Sequence, residues 1–260
     1  MSAEFEVHHF AYGPLTPALA YGMSVLGSLL GLRCTARAAT ASEPRERCWW
    51  LAGGSVALGG TAIWVMHFVG MLGFGVSGAS IAYEVPLTLL SALLAVVFVG
   101  AGLFLVGFGL PVPLGGLLAG TGVAIMHYTG MAAMSLGVEL AYDPWRVALS
   151  VLIAIIAATG ALAAAVRLRG WLSTLGASLV MGLAVSGMHY TGMLALSVRG
   201  PSPSPVEGAD PVHLLLPLVV TVSLVTAVLC VFVAGSPSAR ERTREEEFLA
   251  GLEREMGTGY

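Results

Sequence analysis

Met66-His67-Phe68-Val69-Gly70-Met71, Met126-His127-Tyr128-Thr129-Gly130-Met131 and Met188-His189-Tyr190-Thr191-Gly192-Met193 are one phrase written three times inside apolar runs. The histidines fall 60 and then 62 residues apart. Tyrosine and cysteine aside, they are the ionisable side chains of the long apolar stretches. An ionisable group in a membrane span is costly and marks a functional site by default. Its recurrence at a fixed period marks a structural repeat.

The apolar runs themselves decide the fold class. Of the 260 residues 57% are hydrophobic and 10% charged, and the mean hydropathy is +0.85. Soluble domains carry roughly 25% charged residues. A spanning helix needs about 20 apolar residues. Seven segments without Asp, Glu, Lys or Arg qualify: Leu15–Leu32, Trp49–Met71, Val85–Phe108, Leu114–Leu136, Val147–Val166, Leu172–Leu196 and Leu214–Val233. The expected fold is all-α, a polytopic membrane bundle of seven transmembrane helices. Its 34 glycines predict close helix packing, because small residues let backbones approach in lipid.

Arginine placement sets the expected orientation; the chain has no lysine. Arg33, Arg37, Arg45, Arg47, Arg167, Arg169, Arg240, Arg242, Arg244 and Arg254 fall on one side and only Arg146 and Arg199 on the other. The positive-inside rule then puts the N-terminus outside and the C-terminus in the cytoplasm of a plasma-membrane protein. All three motifs end their helices on the outer side. The first helix lacks the basic lead-in of a cleaved signal and reads as a retained span. Cys34, Cys48 and Cys230 map to the reducing inner side and read as small apolar packers.

One domain is expected over residues 1–234, followed by a short charged cytoplasmic tail, 235–260. Within the domain, three two-helix repeats pair each motif helix with the helix that follows it, and the N-terminal helix is extra. Glu84 with Pro86, Asp143-Pro144 and Asp210-Pro211 precede the return helices, where a carboxylate caps free N–H groups and Pro suits the first turn. The third outer loop, Ser197–His213, is long and rich in Pro, Ser and Gly, and reads as a plain connector. Phe248, Leu249 and Leu252 lie at helical spacing in the tail, consistent with an amphipathic helix or a solvated segment.

In an α-helix the histidine and the second methionine, four apart, share a face. The glycine three residues after the histidine lies beside them. A further glycine stands seven before each histidine: Gly60, Gly120 and Gly182. With Gly70, Gly130 and Gly192 these form a close-packing seam that predicts an inward-facing stripe. Imidazole and thioether make a soft-to-borderline ligand set, and thioether selects Cu(I). The candidate metal ligands are therefore His67, His127, His189, Met66, Met71, Met126, Met131, Met188 and Met193. Copper is the favoured ion. The seams offer no carboxylate or thiolate for Mg, Ca or structural Zn. Bis-His haem ligation would use two of the three histidines and leave the methionines unexplained. Packing alone is the competing reading, since a duplicated structural repeat would preserve the same phrase. Whether the three seams converge on one site or form several stays open at this level.

Other residues have plainer readings. Tyr128 and Tyr190 suit an aromatic belt. Thr129 and Thr191 suit bonds back to their own helix carbonyls. His8 and His9 read as a solvated N-terminus, with closure of the site from outside as the alternative. The chain shows no phosphate loop, dinucleotide fingerprint, nucleophile triad or basic nucleic-acid face, so neither an enzyme nor a nucleic-acid partner is expected.

At the motif residues the chain resembles the MHYT-domain family, bacterial membrane sensors named for a repeated Met-His-Tyr-Thr phrase. Met126-His127-Tyr128-Thr129 and Met188-His189-Tyr190-Thr191 match in full; Met66-His67-Phe68-Val69 departs at its last two positions. Tyr142-Asp143-Pro144-Trp145 is also similar to the family. The resemblance covers roughly residues 8–234. It implies a seven-helix domain with motif residues near the outer face, copper held by Met66/His67, Met126/His127 and Met188/His189, and sensing of oxygen, carbon monoxide or nitric oxide. Many relatives carry cytoplasmic cyclic-di-nucleotide enzymes. The expected function is thus a membrane sensor whose copper site answers a diatomic gas, or redox or copper status. Its expected partners are membrane lipid, the gas and a cytoplasmic signalling protein. Two alternatives stand beside it: a copper carrier with ligands at several depths, and a metal-free structural module acting through a partner.

Overall fold

The computed structural model describes residues 6–168, 170–201, 205–235 and 248. Seven helices follow one another: α1 (Leu15–Ala38), α2 (Pro44–Met71), α3 (Val85–Gly107), α4 (Val112–Ala132), α5 (Pro144–Arg167), α6 (Trp171–Met193) and α7 (Pro211–Gly235). All but α4 are long and apolar enough to cross a membrane. At 21 residues, α4 has spanning length. Its glycines, with His127, Tyr128 and Thr129, lower its apolar character, so the expected seventh span is met in length and missed in composition.

The helices close into a ring in sequence order. α1 packs on α2, α2 on α3, α3 on α4, α4 on α5, α5 on α6, and α6 back on α1. The motif helices α2, α4 and α6 thus alternate with α3, α5 and α1. The packing keeps the sequence pairs α2–α3 and α4–α5 but gives α6 the partner α1 in place of α7. α1 holds the place beside α6 that α3 holds beside α2 and α5 beside α4, while α7 lies outside the ring on α2 and α1. Glycine contacts follow the same threefold rule. A Cβ on Gly120 of α4 would strike the backbone of α5 at Ala154 and Ile155, and one on Gly182 of α6 would strike Val25 and Tyr21 of α1.

Short antiparallel ribbons repeat the rule at the motif end. β1 (Val7–His8) pairs with β2 (Gly75–Val76), β3 (Ile81–Tyr83) with β4 (Met134–Leu136), and β5 (Val138–Tyr142) with β6 (Leu196–Pro201). Each ribbon joins the strand entering an outer helix to the strand leaving the next motif helix. The N-terminal segment is paired with the structure while most of its residues stay exposed: His8 Nε2 lies 2.9 Å from Ser77 Oγ, and the His9 ring packs against Phe74. Burial holds the His9 pKa below its ordinary value. The loop read as a plain connector carries β6, and Ala209 farther along it bridges Tyr83. Of the tail, Gly235 and an exposed Phe248 are described; the rest of the amphipathic or solvated segment, with Leu249 and Leu252, lies outside the described residues.

α2 is wound as α-helix over Pro44–Ser55, as π-helix over Val56–Val65 and again as α-helix over Met66–Met71. A π-turn holds more residues per turn than an α-turn, and such stretches recur at functional sites. One consequence corrects the expected glycine seam. In α4 the glycine against the return helix stands seven before the histidine, at Gly120. In α2 it is Gly59, eight before His67, whose Cβ would lie 2.6 Å from the Ala95 carbonyl of α3. A Cβ on Gly60 would make only ordinary contacts, with Val222 at 3.5 Å and with Val56 and Val96 at 4.0 Å. The π winding accommodates the extra residue and rotates Gly60 off the seam.

At the opposite end arginines close the bundle. Arg37 donates to the Val233 carbonyl at 3.2 Å. Arg47 donates to the Gly107 carbonyl and stacks over Phe108, and Arg33 stacks over Trp171. Cations at helix C-termini meet unpaired carbonyls and the negative end of the helix dipole. The acids before the return helices behave unequally. Asp143 accepts from the Trp145 N–H at 2.9 Å and Asp210 from the Val212 and His213 N–H groups. Glu84 makes no cap bond through its side chain.

Candidate metal centre

His67, His127 and His189 lie four or five residues before the ends of α2, α4 and α6. At 1.5 Å per residue this is about 6–8 Å inside the bundle. Ring closure brings the three onto one axis, so the seams form one site. Nδ1 of His67 is 3.0 Å from Nδ1 of His189 and 3.1 Å from Nδ1 of His127. The rings meet edge to face, with centroids 4.8, 5.0 and 5.3 Å apart. Each histidine is 1% exposed. Among the described residues they form the one group of His, Cys, Asp or Glu side chains close enough to share a metal ion.

The outer edges of the rings are held by glycine. A Cβ on Gly130 would stand 2.5 Å from His67 Nε2, and one on Gly70 would stand 2.5 Å from His189 Nε2. One on Gly192 would strike His127 Nε2. The imidazole of each motif helix thus seats in the glycine notch of another: His67 on α4, His127 on α6, His189 on α2. The i+3 glycine is required because only hydrogen leaves room for a ring there.

This geometry leaves the nitrogens without satisfactory partners. All three Nε2 atoms are buried and unbonded. A neutral imidazole has one N–H and one lone pair. If the protons sit on Nε2, three Nδ1 lone pairs converge without a donor between them. If one Nδ1 carries the proton, it serves only part of the triangle and leaves its own Nε2 as an orphaned acceptor. Buried unsatisfied groups of this kind cost about 1–3 kcal/mol each and need an explanation such as an ion. Three convergent imidazole nitrogens suit a Cu or Zn ion, and bonds of about 2.0 Å to a central ion are compatible with nitrogens this close together. The residues present therefore fit a single metal ion.

The six motif methionines are buried as well, none more than 2% exposed. The pair between histidine and glycine shows why the first copy departs from the other two. Phe68 and Val69 are buried, at 0% and 8% exposed, because α2 is covered by α1, α3 and α7. Tyr128, Thr129, Tyr190 and Thr191 are all half-buried, so hydroxyls are tolerated there. Thr191 bonds back to the Gly187 carbonyl at 2.7 Å. Tyr128 is more than a belt aromatic: its hydroxyl lies 2.6 Å from Ser150 Oγ of α5.

Comparison with known proteins fits this architecture. The family described as "Bacterial signalling protein N terminal repeat" (MHYT) matches three times, over residues 60–117, 120–178 and 182–251. The chain belongs to the MHYT family. It is 45% identical over 194 residues to the bifunctional diguanylate cyclase/cyclic di-GMP phosphodiesterase MucR of Pseudomonas aeruginosa, covering 71% of this chain and 28% of the relative. It is 38% identical over 257 residues to the cyclic di-GMP phosphodiesterase NbdA of the same species, covering 93% and 32%. The signaling protein YkoW of Bacillus subtilis is 33% identical over 201 residues, covering 72% and 24%. The matched region thus spans a third or less of each of these relatives. No solved structure matches the chain. The family and the long apolar helices make this MHYT protein a multi-pass membrane protein with a signalling role.

Proposed function

We propose that the histidine triangle holds one copper ion and that the protein is a membrane sensor of a diatomic gas or of redox or copper status. The observation that carries this reading is the convergence of three buried imidazoles whose Nδ1 atoms meet only one another while all three Nε2 atoms are left without a partner. Three imidazoles would be the primary ligands, with the buried methionine sulfurs inclining the site toward Cu(I) over zinc. Bound copper would supply an open coordination position and a one-electron couple.

The chain's own residues offer a route for the signal. Each imidazole edge rests in a glycine notch of another motif helix, so displacement of one ring presses on the next helix around the circle. Packed interfaces of this kind have discrete arrangements rather than a continuum, and a ligand shifts them by its differential affinity. The arginine distribution supports an orientation with the motif end outside and the arginine end in the cytoplasm. Because relatives are named as cyclic di-GMP enzymes, the cytoplasmic output is proposed to be a cyclic-di-nucleotide signalling domain or partner.

Metal analysis of anaerobically purified protein tests the site. Wild type should carry copper near one per chain, and the His67→Ala/His127→Ala/His189→Ala variant should carry none. Equal trace metal in both would remove the ligand reading and leave a structural module. Zinc in place of copper would keep the site and overturn the sensor chemistry.

A further inference from the structure

Directly beneath the imidazoles lies a cavity of about 50 Å³. Its walls include Ile63, Val123 and Val185, one from each motif helix and each four residues before its histidine. Four residues is one helical turn on the same face. Helical side chains lean toward the N-terminus of their helix, so the three rings incline over this space. Met188, beside His189, also lines it. The cavity is therefore on the same axis as the nitrogen triangle, one turn deeper.

Its lining is apolar apart from one hydroxyl, Ser28. A buried water needs two to four polar partners, and apolar cavities stay dry while accepting xenon or small hydrocarbons. One water-sized guest needs about 10–15 Å³ of such space. At about 50 Å³ this cavity has room for about three to five water-sized atoms, enough for a diatomic molecule and far too small for an acyl chain. On one flank the wall is made by Ala157 and Ala158 of α5 with Val185 of α6, all half-buried. These small residues both line the cavity and are partly exposed on the outside of the bundle, so they form the wall between the two. Toward the motif end, by contrast, buried Phe68, Phe74 and Tyr83 and the paired ribbons stand between the rings and water.

We propose that this chamber is the docking site of a small uncharged molecule, a diatomic gas, which reaches the imidazole cluster sideways from the bilayer rather than from water. The proposal rests on the sensor reading for its purpose but not for its existence. Apolar gases partition into hydrocarbon, and the chamber offers them a dry site one turn from the histidines. A charged signal meets no counter-charge in this lining, and a hydrogen-bonding one meets only the Ser28 hydroxyl.

Xenon tests the chamber without metal. Crystals of the metal-free full chain pressurised with xenon should show an anomalous peak between Ile63, Val123, Val185 and Met188. Ala158→Leu, which fills the space from the lipid side, should abolish it. Val185→Leu on another helix serves if that variant does not assemble. No peak in wild type, or a peak indifferent to the filling variants, overturns the proposal. Carbon monoxide tests the route: its association with copper-loaded protein should slow severalfold in Ala158→Leu at unchanged copper content. An unchanged rate at unchanged copper overturns lateral entry. Loss of copper binding in wild type would overturn the sensor reading alone, since the xenon result stands apart from it.

Discussion

The two ends of the bundle treat buried polarity in opposite ways. At the arginine end, Arg37 and Arg47 donate to the terminal carbonyls of α7 and α3, and Arg33 and Arg47 lie over aromatic rings. Charge there meets the unpaired groups that helices leave at their ends, and the result is closure. At the motif end, three imidazoles are enclosed by one another, by glycine and by apolar side chains, and their nitrogens are left over. Arg47 Nε is left without a partner at the arginine end, but among the described residues only at the motif end do three such nitrogens belong to side chains that meet at one point. The surplus valence is what a ligand would take up.

The sharpest way to break this contrast is to remove one imidazole. His67→Ala, His127→Ala and His189→Ala should each weaken Cu(I) binding by more than about 100-fold, since even outer-shell changes at metal sites cost 10–100-fold. Competition with a chromophoric chelator reads this. Threefold geometry predicts similar losses at all three positions; one indifferent histidine would reduce the triangle to a pair. Arg47→Gln, at the other end, should leave the affinity unchanged.

The glycine notches come next. Gly70→Ala, Gly130→Ala and Gly192→Ala each push a methyl into a ring, and overpacking of this kind costs about 1–3 kcal/mol. Thermal unfolding should show that loss together with weaker metal binding. Gly59→Ala should destabilise without altering the ion, because its Cβ meets α3 backbone. Gly60→Ala should fall within about 0.5 kcal/mol of wild type. Equal effects at Gly59 and Gly60 would contradict the π-wound register of α2.

These pairs also show what could be read in the residues alone. The repeat, the all-α class and the three histidines are written as residue types at a fixed period, so they were legible. Their meeting at one point was not, because it depends on α1 closing the ring beside α6, which no spacing in the motif encodes. Gly60 was misassigned since a seven-residue offset presumes α winding throughout, and Val56–Val65 winds as π. The three ribbons escaped notice because strands of two to six residues carry too few positions for an alternating pattern. The Phe68-Val69 departure was legible only as a mismatch with the other two copies. It reflects full burial of that face of α2.

Smaller effects sharpen the comparison between copies. Phe68→Tyr would bury a hydroxyl at a fully enclosed position and should cost about 1–3 kcal/mol. Tyr128→Phe should cost only about 1 kcal/mol, for the bond to Ser150. Among the acids, Asp143→Ala should cost about 1 kcal/mol of cap energy, whereas Glu84→Ala, whose side chain caps nothing, should be close to neutral. Thermal denaturation in matched detergent checks each.

The most direct test of the central claim is X-ray absorption at the copper edge on anaerobically loaded protein at one equivalent. Three imidazole nitrogens bound at about 2.0 Å, with the outer-shell scattering of histidine rings and collapse of that pattern in His127→Ala, is the result expected. A spectrum without imidazole scattering, or one that His127→Ala leaves intact, would show that the triangle of rings does not hold the ion.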